Sequence, residues 1–146
     1  MDLVSTHVDP DRSPGFALKR LQQALRARMD AALADLGLTS PHYAVLGLLA
    51  EHPGISNAEL ARRSFVAPPT MLRFLTTLSE AGLIVRADRT PDQRSRRTTL
   101  TAKGRARLAE AAVRVQELDG ILADEAGPRQ DVIMAWLRAC AERLAP

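Results

Sequence analysis

Apolar residues recur along the chain in helical stripes separated by turn-forming residues. Ser13-Pro14 predicts a helix start: a hydroxyl cap followed by proline at the first helical position, where its missing N–H costs nothing. From there Leu18, Leu21, Leu25, Met29, Leu33 and Leu36 step by three or four, a single stripe that Gly37 brings to an end. Thr39-Ser40-Pro41 opens a second helix carrying Tyr43, Leu46, Leu49 and Ala50, which stops at the Glu51-His52-Pro53-Gly54 turn. Ser56-Asn57-Ala58-Glu59 has capping-box spacing, in which the serine hydroxyl and the glutamate carboxylate each satisfy an orphan backbone donor. A short third helix therefore runs to Arg63. Pro68-Pro69 fits only the first turn of a helix, so a fourth runs from there to Ala81 and ends at Gly82. Its apolar face is Met71, Phe74, Leu75 and Leu78, while Thr70, Arg73, Thr76 and Thr77 point elsewhere.

The pattern then changes. Leu83-Ile84-Val85 and Thr98-Thr99-Leu100 are strand-like runs, and the Pro-, Asp- and Arg-rich stretch 86–97 between them reads as the long tip of a hairpin. Thr101 caps a fifth helix with Leu108, Ala112, Val115 and Leu118, and Ala126-Gly127-Pro128 separates it from a sixth. That last helix is striped by Val132, Ile133, Trp136, Leu137, Cys140 and Leu144. Three helices followed by a two-stranded hairpin with a basic tip is the order of a winged helix-turn-helix, whose last helix of the trio enters the major groove. The predicted class is thus mainly α, a winged helix-turn-helix over residues 37–101. Residues 13–36 and 102–146 form a helical dimerisation region, and 1–12 is expected to be a flexible tail.

Charge supports the same reading through its distribution. The chain carries only +3, yet from Arg86 to Arg107 eight basic residues stand against Asp88 and Asp92, a local balance of +6 that leaves the rest near −3. Attraction to a polyanion is set locally under physiological screening, so this segment is a candidate phosphate-contacting surface. Composition excludes other classes. The 146 residues suffice for one domain with its own core, 46% are apolar and 25% charged, and no apolar run nears the roughly 18 residues of a membrane span. Met1–Arg12 lacks the basic start and apolar centre of a secretory signal, so a cytoplasmic location is expected. One cysteine, Cys140, and three histidines, His7, His42 and His52, sit in unrelated contexts without the spacing of a zinc site, and neither a metal nor a cofactor is expected. With no glycine-rich phosphate loop, no nucleophile beside a base and no carboxylate pair, catalysis is not expected.

Five stretches in register carry a family resemblance: Leu38-Thr39, Glu59-Leu60-Ala61, Leu78 with Gly82-Leu83-Ile84, Asp92-Gln93-Arg94, and Leu100-Thr101-Ala102-Lys103-Gly104. In these the chain resembles the MarR family of bacterial transcriptional regulators. The resemblance implies a ligand-responsive repressor that binds a pseudo-palindromic site on double-stranded DNA as a homodimer. It implies that Arg94 reaches a minor groove, with Asp92 holding the loop that presents it; an ion pair within the wing is the alternative use of the two. A guanidinium is less tightly hydrated than an ammonium and enters such a groove readily. Arg96 and Arg97 are expected at phosphates. Arg73 is placed to reach guanine edges or phosphates, and Pro69, Thr70, Thr76 and Thr77 complete the expected DNA-facing set. Leu72 stands where the family usually has a polar residue, and Ala67 is an N-cap without a side-chain oxygen.

The stripes of the first, fifth and sixth helices exceed what the winged unit can cover, which predicts association of two chains. The resemblance further implies a pocket for a small aromatic effector between the dimerisation helices and the winged unit. His42, which replaces the family's usual glutamine, Tyr43 and Trp136 are its candidate lining residues, although Tyr43 and Trp136 also occupy core-like apolar faces. Cys140 reads as a buried helix residue rather than a redox centre. A winged helix that has abandoned DNA for protein partners is the alternative function, to which Leu72 and Ala67 would be suited.

Overall fold

The computed structural model describes residues 7–86 and 97–146. Six helices and a two-stranded sheet follow in the expected order: α1 (Pro14–Leu33), α2 (Ser40–Glu51), α3 (Asn57–Arg63), α4 (Pro68–Glu80), β1 (Ile84–Arg86), β2 (Thr98–Leu100), α5 (Ala102–Ala126) and α6 (Gln130–Leu144). The punctuation acts as the residue types require. Ser13 Oγ accepts the Phe16 N–H at 3.4 Å to cap α1. After a single 3-10 turn at Ala34–Leu36, Gly37 takes φ 69°, and the Leu38 N–H returns to the Leu33 carbonyl at 3.2 Å.

The core lies where α1 to α5 and the hairpin converge. Leu33, Val45, Leu46, Leu60, Met71 and Leu75 are fully buried there, each worth about 1.5–3 kcal/mol of burial. Tyr43 and Phe74 are half-buried against this cluster, so Phe74 is a partial member of the face assigned to it. The hairpin is antiparallel with Ile84 opposite Leu100, Val85 opposite Thr99 and Arg86 opposite Thr98.

One local expectation is corrected. Ser56 Oγ does accept the Glu59 N–H at 3.2 Å, but the Glu59 carboxylate binds Arg62 Nε at 2.9 Å and Arg63 Nε at 2.7 Å instead of returning to the cap. Two guanidiniums outcompete one amide for a carboxylate, and they hold its pKa down to about 2. The reciprocal bond of a capping box occurs one helix earlier, where His42 Nδ1 accepts the Thr39 N–H at 3.3 Å.

The start of α5 is spliced onto the end of α4. Thr101 Oγ1 donates to the Gly82 carbonyl at 2.7 Å while accepting the Gly104 N–H at 2.9 Å, and Lys103 Nζ donates to the Ala81 carbonyl at 2.9 Å. A Cβ on Gly104 would lie 2.0 Å from the Leu83 carbonyl oxygen, so only glycine permits this backbone approach. Further along α5, Arg107 donates to the Leu36 carbonyl, and Arg114 donates to the Ala32 carbonyl at 2.7 Å and to Asp35. These arginines fix α5 against the end of α1.

Candidate nucleic-acid interface

Helix α4 buries Met71, Leu75 and Leu78 and leaves Pro69, Leu72, Arg73, Thr76 and Thr77 exposed, with Thr70 half-buried. Prolines at 68 and 69 leave Thr70 the only N–H of positions 68–70, and Ala67 offers no side-chain acceptor to cap it. Arg73 forms no ion pair among the described residues. Two of the threonines are engaged within the helix: Thr76 Oγ1 donates to the Leu72 carbonyl at 2.9 Å and Thr77 Oγ1 to the Arg73 carbonyl at 3.0 Å. Each hydroxyl proton is thus committed within the helix, and what these side chains offer outward is a methyl group and an acceptor oxygen.

Asp92, Arg94 and Arg96 lie outside the described residues. Arg97 stands at the base of the hairpin with its Cδ and guanidinium 3.5 Å from the position of a Cβ on Gly54, so its stem runs beside the α2–α3 turn. The basic segment 86–107 is therefore divided in use. Lys103 and Arg107 are tied to carbonyls as described above, and Arg105 donates to the Leu100 carbonyl at 3.3 Å. Lys103, Arg105 and Arg107 thus serve the fold.

The α3–α4 turn holds a residue that the sequence reading passed over as connector. Phe65 is 95% exposed and has φ 55°, the only non-glycine residue with positive φ among those described. It occupies the position that ends a helix in left-handed conformation, with the Val66 N–H returning to the Ala61 carbonyl at 3.1 Å. Glycine is usual there; an aromatic is not. The signal was in the sequence, an aromatic residue inside a helix-turn-helix turn that needs a left-handed position.

The candidate effector residues are not brought together. His42 is half-buried, edge-on to Phe74 with ring centroids 5.4 Å apart. Burial holds its pKa below the ordinary imidazole value, opposed by the weaker attraction of Asp30. Trp136 is 45% exposed on α6, which packs against the end of α5. Tyr43 lines a hollow of about 460 Å³ with Leu48, Leu108 and Ala112. Beside it is a second hollow of about 280 Å³ between α2, β2 and α5, lined by Leu49, Pro53, Leu100, Leu108 and Ala112, with Arg105 the one charged group. Among the described residues, no three His, Cys, Asp or Glu side chains gather into a metal site, and no helix is long and apolar enough to cross a membrane.

This geometry has close counterparts. A sequence model of the MarR family matches residues 38–96. The HTH-type transcriptional repressor Rv2887 of Mycobacterium tuberculosis is 41% identical over 122 residues, spanning 82% of this chain and 87% of the repressor. The chain belongs to the MarR family. Among solved MarR-family structures, the repressor CouR bound to a 23-mer DNA duplex superposes with TM-score 0.82 at 30% identity, covering 93% of this chain and 99% of CouR. Rv2887 in complex with p-aminosalicylic acid superposes with TM-score 0.70 at 37% identity, covering 88% and 98% of the two chains. The MarR-family sequence match covers α2, α3, α4 and β1, the part that carries the helix-turn-helix, and the similarities to Rv2887 and CouR extend beyond it.

Proposed function

We propose that this MarR-family protein is a transcriptional repressor that grips operator DNA as a homodimer and releases it when a small aromatic acid fills the groove between α2 and α5. The observation that supports the DNA reading is the face of α4, where Pro69, Leu72 and Arg73 stand exposed beside half-buried Thr70 near its N-terminal end, in a chain that superposes on a repressor bound to duplex DNA. Asp92, Arg94, Arg96 and Arg97 are assigned to the wing contacts, Arg94 in the minor groove. The protein acts by binding and not by catalysis.

Dimerisation is supported by what α6 lacks. It buries no residue in the single chain, and Val132, Ile133, Met134 and Trp136 stand exposed along it. An apolar hollow of about 540 Å³ opens between α1, α5 and α6, where Leu21, Leu122, Ile133 and Leu137 would receive apolar residues of a second copy. A two-fold arrangement of that kind sets the two α4 helices about 34–36 Å apart, one turn of duplex. Trp136 belongs to this interface, away from the effector.

For the effector, a hollow with apolar walls and one guanidinium suits a planar ring bearing one carboxylate. Arg105 is its assigned anchor and Tyr43 borders the adjoining space. Because α5 belongs to the dimerisation region and α2 to the winged unit, a ring wedged between them changes the angle of the DNA-reading helices.

Duplex binding measured against salt tests the reading. Affinity should fall steeply as salt rises, Arg94→Ala should lower the slope by about one ion, and Arg73→Ala should alter sequence preference. Salicylate should release DNA from the native protein and fail to do so from Arg105→Ala. A chain that sediments as a lone subunit at micromolar concentration, or that binds no duplex at low salt, refutes the proposal; the second result favours a protein-binding winged helix.

A further inference from the structure

We infer that the DNA-reading end of this protein recognises thymine by its methyl group, through an apolar tip made of Phe65 and Leu72. The inference rests on the DNA-binding reading above and deepens it. Phe65 and Leu72 are 95% and 47% exposed, one in the turn before α4 and the other one turn into it. Pro68 and Pro69 lie between them, also exposed. The chain from Phe65 to Leu72 thus presents carbon to solvent where a DNA-reading helix would present donors and acceptors.

Two observations argue that this apolar tip faces nucleic acid and not protein. From Glu59 to Ser79 the chain carries three arginines, Arg62, Arg63 and Arg73, against one carboxylate, Glu59, which Arg62 and Arg63 share, so the apolar patch has a net positive surround in which Arg73 makes no ion pair among the described residues. That combination suits a polyanion that offers an apolar group. In the major groove every base edge is a donor or an acceptor except one, the 5-methyl of thymine, against which an aliphatic or aromatic side chain packs. The second observation is the backbone of Phe65. A left-handed conformation disfavours any side chain, and glycine would relieve it at once, yet an aromatic residue is held there with its ring outside the core while Val66 packs within. The conformation is what directs the ring away from the protein.

The test uses uracil, which pairs as thymine does but lacks the methyl. A duplex is selected from a random-sequence pool by the native protein, then prepared with thymine and with uracil at every such position, and both affinities are read by fluorescence anisotropy. Burial of one methyl is worth about fourfold in affinity, so a dimer touching one in each half-site should bind the uracil duplex about fifteenfold more weakly. The Phe65→Ala/Leu72→Ala variant, which alters only exposed side chains, should bind both duplexes alike, with the affinity the native protein has for uracil. Equal affinity of the native protein for the two duplexes overturns the inference while leaving DNA binding intact. So does a variant that still discriminates, because the methyl would then act elsewhere or through duplex shape. If the native protein selects nothing from the pool at low salt, the DNA-binding reading itself falls, and this inference with it.

Discussion

Gly104→Ala should destabilise the protein although alanine is the better helix former. The added Cβ would lie 2.0 Å from the Leu83 carbonyl oxygen, 2.9 Å from its carbonyl carbon and 3.3 Å from its Cα. The nearest neighbour is backbone, so no rotamer change relieves the clash; α5 must move away from the segment joining α4 to β1 by more than 1 Å to restore ordinary contact. That segment is held by the Thr101 N–H to the Leu83 carbonyl at 3.1 Å and by the Thr101 hydroxyl to the Gly82 carbonyl at 2.7 Å, and both bonds stretch together. Overpacking costs about 1–3 kcal/mol and each weakened hydrogen bond about 1, against about 1 recovered from helix propensity. The net is a loss of about 3 kcal/mol. For a chain of this length that lowers the melting temperature by about 6–12 °C. Urea unfolding followed by circular dichroism at fixed protomer concentration reads it as a lower midpoint at unchanged slope. Gly47→Ala is the control: it lies inside α2 with nothing within 4 Å of the added atom, and should gain about 0.5–1 kcal/mol. A Gly104→Ala midpoint at or above that of the native protein would refute the backbone-contact argument.

Three further outcomes follow from the same geometry. Phe65→Gly should stabilise the fold by about 1 kcal/mol, the left-handed penalty less glycine's greater unfolded freedom, and a melting curve that fails to rise would show the turn is unstrained. His42 takes up a proton less readily in the fold than in the unfolded chain, because burial lowers its pKa. As pH falls below about 6.5 the unfolded chain gains a proton that the folded chain refuses, so stability should drop toward pH 5. His42→Gln, whose amide oxygen can accept the Thr39 N–H, should flatten that slope. Arg114→Met should lower stability by removing the donor to the Ala32 carbonyl, whereas Asp35→Asn should cost less because the Asp35 end of the pair is exposed and screened. Equal losses in chemical denaturation would mean that the ion pair, and not the carbonyl bond, holds α5 to α1.

What the sequence revealed and what it hid divide along the range of the interactions. Ser13-Pro14, Gly37, Pro68-Pro69 and Gly82 mark helix ends through bonds that span a few residues, so they are legible from spacing alone. The charge of segment 86–107 is equally legible, but not its use. Arg107 reaches a carbonyl 71 residues away, and no local count of cations distinguishes it from one that faces a phosphate. His42 was visible as a departure in residue type, yet its role is local: a ring nitrogen three residues after Thr39 is at the capping-box position that Glu or Gln usually fills. Phe65 is legible as an aromatic in the α3–α4 connector, outside every apolar stripe, but its direction is not: that follows from the backbone geometry of the turn, where the left-handed residue faces outward and its successor packs inward. A helix-turn-helix turn that ends in an aromatic residue rather than glycine is therefore a feature to look for in sequence, because the fold must hold that side chain in solvent or against a ligand.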